Sequence, residues 1–75
     1  MSEFEAILPL KVEGIVELLI TEHKMSLQDA LEYLYSSQLY ALLEQEETKM
    51  WHYSPQMLVH LLENEKNTGT LELPQ

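Results

Sequence analysis

The placement of serine and proline constrains this chain more than any other feature. Ser26, Ser37 and Ser54 each stand just before a segment of helical apolar spacing, and Pro55 follows Ser54 directly. A serine there accepts a hydrogen bond from a backbone N–H of the first helical turn. Proline at the first helical position gives up only an N–H that has no partner inside the helix. Helices are thereby expected to start near residues 27, 38 and 55. Residues 48–53 could be read as extended, but no second strand exists to pair with them. The stretch 47–62 is the organising centre, because it joins an aromatic loop holding the only tryptophan to the clearest helix start.

The N-terminal end is ambiguous. Ser2 and Glu5 have capping-box spacing, but a helix beginning there would carry Pro9 in its interior, where it removes a hydrogen bond and clashes with the preceding turn. The preferred reading sets Pro9 near the first position of a helix over residues 9–23. Residues 1–8 then form an apolar arm in which Phe4, Ile7 and Leu8 fold back on the core or pack on a partner. Val12, Ile15, Val16, Leu19 and Ile20 make the buried stripe of this helix. Gly14 reads as a tolerated surface glycine; its other reading is close approach by a neighbouring helix.

Ser26-Leu27-Gln28-Asp29 resembles a capping box with a shortened acid. Leu27, Ala30, Leu31 and Leu34 are expected to be buried, with Tyr33 and Tyr35 flanking them. Ser37 either caps a third helix over residues 38–45 or kinks one longer helix. Leu39, Leu42 and Leu43 would face the core. Acids at residues 44–47 oppose the dipole of a helix end, so that helix should stop early. Trp51 is expected to seal one end of the core with its indole N–H on a carbonyl or water. In the last helix Met57, Leu58, Leu61 and Leu62 share a face and Val59 lies off it. This helix should fray after Glu65, with Asn67-Thr68-Gly69 as the stop. The expected fold is all-α: a compact three- to four-helix orthogonal bundle over residues 9–66, with a short aromatic loop before the last helix. Residues 67–75 read as a mobile tail, in which Leu71 and Leu73 could form one extended edge.

Seventy-five residues make one domain with a small core, since a chain this short buries only roughly 60% of its unfolded surface. No cysteine is present, which excludes disulfides and thiolate metal sites and fits a reducing compartment. Thirteen acidic residues against four lysines give a formal charge of −9. Nucleic acid and anionic membranes repel such a surface, and a basic protein partner is favoured. Acidity of this kind also serves simply to keep a small domain soluble. The N-terminus is acidic where a secretory signal would be basic, and the apolar run Leu18-Leu19-Ile20 is far too short to span a bilayer. A cytoplasmic location is expected.

Catalysis finds no plausible set of residues. Ser26, Ser37 and Ser54 are accounted for as caps. Two glycines in the whole chain exclude a glycine-rich phosphate loop. His60 and Glu63 share a helix face, but a metal site needs three or four convergent ligands and no second pair matches them. His23 sits in the last turn of the first helix, where the dipole accounts for it. The second and third helices have the length of a helix-turn-helix, but the reading element has no basic residue for phosphates. No enzyme activity, cofactor or metal is expected. Contact between proteins remains. The candidate contact residues are Phe4, Ile7, Leu8, Tyr35, Tyr40, Trp51, His52 and Tyr53, because aromatic side chains are enriched at interface hot spots. Trp51 should be mostly core, and the Phe4, Ile7 and Leu8 arm is the best single patch.

Ser26-Leu27-Gln28-Asp29-Ala30-Leu31, then Leu39-Tyr40-Ala41-Leu42-Leu43, then Glu47-Thr48-Lys49-Met50-Trp51-His52-Tyr53-Ser54 follow a recurring order. Over residues 12–65 this order resembles small uncharacterised bacterial all-helical proteins of the Firmicutes type. The motifs are structural and of low specificity. The resemblance implies a domain of unknown function, with some similar proteins suspected of lying beside toxin-like genes, and it brings no catalytic residues. The expected function is a small acidic protein-interaction module, antitoxin-like or regulatory, acting on a basic protein. The alternatives are a structural homodimer or higher oligomer with no separate client and, less favoured, a metal-dependent enzyme built across subunits from His52, His60 and Glu63.

Overall fold

Ser2 decides where the first helix begins. Its hydroxyl accepts from the Glu5 N–H at 3.2 Å, and α1 runs from there over Glu3–Glu22. The expected arm is therefore the first two turns of α1, and Pro9 lies inside the helix rather than at its start. An interior proline costs about 3 kcal/mol. Phe4, Ile7 and Leu8 are half-buried against the core, and at roughly 1 kcal/mol each for partial burial they offset most of that cost. Pro9 and Glu5 face solvent, so water can serve the Glu5 carbonyl that proline leaves without its helical donor.

The computed structural model describes residues 2–72. After α1 come α2 (Leu27–Tyr35), α3 (Gln38–Leu43), two short 3-10 turns (Glu46–Thr48 and Met50–His52) and α4 (Pro55–Thr68), with no strand among the described residues. The fold is an all-α helical bundle. No helix among the described residues is long and apolar enough to cross a membrane.

Each serine cap forms as its position dictates. Ser26 accepts from Asp29 N–H, Ser37 from Tyr40 N–H and Ser54 from Met57 N–H, all at 3.1 Å. Ser37 is in an extended conformation, and its hydroxyl donates to Leu34 O at 2.6 Å. The chain thus breaks here into two helices rather than bending one. Between α1 and α2, Lys24 takes a left-handed conformation with φ 59°. That turn brings the Met25 N–H back to Leu19 O.

The core is built from Ile15, Val16 and Leu19 of α1, Ala30 and Leu34 of α2, Leu39 and Leu43 of α3, Met50 and Trp51, and Leu58, Val59, Leu61 and Leu62 of α4. Val59 was expected off the apolar face but is buried. α4 packs against both α1 and α3, so its apolar arc is wider than one stripe. Leu27 was expected inside but is 58% exposed. It occupies the first position of α2. Gly14 is a point of close approach rather than a surface tolerance. A Cβ there would lie 2.8 Å from Cγ of Pro55, so its absence lets α1 meet the start of α4. α4 runs past Glu65 to Thr68, and Gly69 caps it with φ 81°. Leu71, expected in a mobile tail, is half-buried against the core. Leu73 and the rest of the expected tail edge lie outside the described residues.

Candidate functional site

The 3-10 segment before α4 is tied mainly to itself. The Thr48 hydroxyl lies 2.8 Å from both Leu42 O and Gln45 O. The Trp51 indole N–H donates to Glu46 O at 2.9 Å, which satisfies the one polar atom of a side chain only 4% exposed. Phe4 meets Trp51 edge-on, with ring centroids 5.5 Å apart. The exposed ring of His52 meets it edge-on as well, at 4.1 Å. A shallow groove of about 160 Å³ opens here between Glu3, Ile7 and Lys11 of α1 and Trp51 and His52. It is smaller than the roughly 300 Å³ at which small-molecule sites begin. With one acid, one lysine and one histidine on its walls it has no single sign of charge.

The structure therefore brings Phe4, Ile7, Trp51 and His52 together at one end of the core. Leu8 and Tyr53 are half-buried packing residues. Tyr35 and Tyr40 form a separate pair at the join of α2 and α3. Their rings meet edge-on at 4.8 Å, with Tyr35 52% exposed and Tyr40 half-buried. Burial foremost, then the Glu44 carboxylate and Tyr35, push the Tyr40 hydroxyl above the usual tyrosine range. Leu27, Leu31 and Tyr35 are spaced by four along α2 and share one face. Leu31 is half-buried between the exposed ends of this row.

Two carboxylates of α4 play parts that sequence reasoning missed. Glu65 accepts from Gln38 N–H at 2.9 Å and Leu39 N–H at 3.0 Å. It thereby closes the start of α3 with a full negative charge at the positive end of that helix. Glu63 lies 3.0 Å from Nδ1 of His23 through one oxygen and accepts from the Tyr33 hydroxyl at 3.3 Å through the other. The same hydroxyl lies 3.2 Å from Leu62 O. Burial, with Glu63 next in weight, pushes the Tyr33 hydroxyl up to about 12. Lys66 stands over the Tyr33 ring, 5.4 Å from its centroid. His23 is thus an inter-helix contact of α1 with α4, beyond its place at a helix end.

These contacts separate the pair that spacing had joined. Glu63 turns to His23 and Tyr33, while His60 is exposed with its ring nitrogen 3.4 Å from the Asn64 amide. No group of three or more metal-ligating side chains converges among the described residues. No local signal in the sequence singles out Glu63 and Glu65 from the other acids, because their partners lie far away along the chain. No protein-family model, curated protein or solved structure matches this chain.

Proposed function

We propose that this chain is a small acidic protein-interaction module, a regulatory partner that covers a basic surface of another protein. The observation that carries the reading is the coincidence of two surface properties. Leu10, Leu27 and Tyr35 remain 64%, 58% and 52% exposed on a chain whose formal charge is −9. Large apolar and aromatic side chains left in water favour burial against a partner. A strong negative field speeds encounter with a positive surface and discourages encounter with a negative one.

Two linked measurements test this. Light scattering over a range of concentrations, at low and high salt, should give a monomer throughout. Affinity capture from the source cell, followed by reconstitution with the purified partner, should give a complex with a basic protein that weakens steeply as ionic strength rises. A homodimer that survives high salt would replace this reading with structural self-association.

A further inference from the structure

We infer that the partner is held on the α2–α3 face by a cationic amphipathic helix, its apolar side chains on Leu27 and Leu31 and a guanidinium or ammonium group on the Tyr35–Tyr40 edge. This inference rests on the acidic-module reading above and assigns that module its surface and the chemistry of its occupant.

Geometry gives the shape. Leu27, Leu31 and Tyr35 recur at every fourth residue of α2, which sets them in a row spanning about 12 Å, or a little over two helical turns. The two ends of the row are more than half exposed. A row of that length and spacing fits the successive apolar anchors of another helix. At its far end Tyr40 extends the row from α2 onto α3, through the ring contact at 4.8 Å.

Charge gives the occupant's sign. Of the charged side chains of α2, Glu32 stands three residues before Tyr35 and neighbours it, whereas Asp29 projects from the other side of the helix; α3 has none, and the Glu44 carboxylate at its end acts on Tyr40. A second copy of this chain would bring a charge of −9 against another of −9. A cationic helix on the row meets Glu32 and Glu44 favourably. The molecule also displays the contact expected at the tyrosine edge. Its Lys66 lies 5.4 Å from the centroid of the Tyr33 ring, and its Lys49 lies 6.0 Å from that of Trp51. The two remaining lysines are placed elsewhere: Lys11 lines the groove beside Trp51, and the Lys24 ammonium bonds Thr21 O. The Tyr35–Tyr40 edge is left for a cation from outside, an attraction that strengthens as the cation is desolvated.

The test uses the full chain labelled with ¹⁵N and two synthetic peptides of about 14 residues, near the length at which isolated helices begin to form. One carries leucines on one face and arginines on the other; its counterpart has glutamates in place of the arginines. Saturable shifts at Leu27, Leu31, Tyr35 and Tyr40 with the arginine peptide alone are expected. Leu27→Ser and Tyr35→Ser should each weaken that binding roughly tenfold. Both residues are largely exposed, so circular dichroism should show unchanged helix content. Shifts confined to Glu3, Ile7, Trp51 and His52 would overturn the assigned surface and leave the acidic module standing. Equal binding of both peptides would overturn the cationic occupant. Concentration-dependent shifts on the α2 face without peptide would make a second copy the occupant and overturn the inference. Failure of the arginine peptide, beside a salt-sensitive basic partner in the capture experiment, would overturn this inference alone. Absence of both would overturn the module reading with it.

Discussion

The two ends of the bundle are held by different physics. At the Trp51 end, α1 is attached by burial: Phe4 meets the indole edge-on, Ile7 lines the groove beside it, Leu8 packs against the core, and the polar contacts there stay mostly within the 3-10 segment. At the end where α2, α3 and α4 meet, carboxylates reach between elements, Glu63 to Tyr33 and His23, and Glu65 to the first N–H groups of α3. Apolar attachment is non-directional and tolerates an imperfect helix, which is why Pro9 survives in α1. Carboxylate attachment is directional, so it fixes where α3 starts and how α2 sits on α4.

Removing the centre of the apolar end should do most harm. Trp51→Ala should cost about 3–5 kcal/mol, since it empties a buried aromatic site and uncovers Phe4. In a domain this small that can abolish folding, which thermal unfolding followed by circular dichroism will show. At the polar end, Glu65→Ala should cost about 1–3 kcal/mol, because two N–H groups lose a charged acceptor. Urea titration measures the loss, and a loss near zero would mean that water replaces the carboxylate without penalty.

Tyr33→Phe should cost about 1 kcal/mol at neutral pH, the usual net value of one hydrogen bond. Its signature lies in alkali. The folded hydroxyl titrates near 12 against 10 for the free group, so between these values the unfolded chain loses its proton first. Stability should therefore fall as pH rises from about 10 to 12, and Tyr33→Phe should remove that part of the slope. Denaturant midpoints taken along this pH range decide it. The smallest change should have the opposite sign. Lys49 holds φ 61° between the two 3-10 turns, a conformation that costs a side-chain-bearing residue about 1–2 kcal/mol. Lys49→Gly should raise the unfolding midpoint slightly, by the equivalent of about 0.5–1 kcal/mol once glycine's greater unfolded freedom is subtracted. A fall would show that the lysine over Trp51 matters more than the strain.

What was legible in the sequence follows the same division. Ser26, Ser37 and Ser54 act on N–H groups three residues away, so local spacing finds them. The Trp51 N–H bond reaches only five residues back, and the need of a buried indole for an acceptor announces it. Pro9 misled because its local cost is visible in the sequence, whereas the packing that offsets it is not. Gly14 and Val59 depend on where α4 crosses its neighbours, which no window along the chain contains. Leu27 shows the converse: an apolar residue in phase with a buried stripe is exposed at the first position of its helix. Among the candidate contact residues, the sequence supplied the aromatic inventory. The structure sorted it into a group around buried Trp51 and a separate pair of exposed Tyr35 with half-buried Tyr40.

The Glu65 contact also bears on the order of events in folding. α3 is six residues long, far below the length at which a helix persists by itself. Its acceptor for Leu39 N–H lies 26 residues further along the chain, so loop closure must precede any gain from that bond. Full order in α3 therefore waits for α4 to dock. Hydrogen exchange at the Gln38 and Leu39 amides should keep time with the undocking of α4.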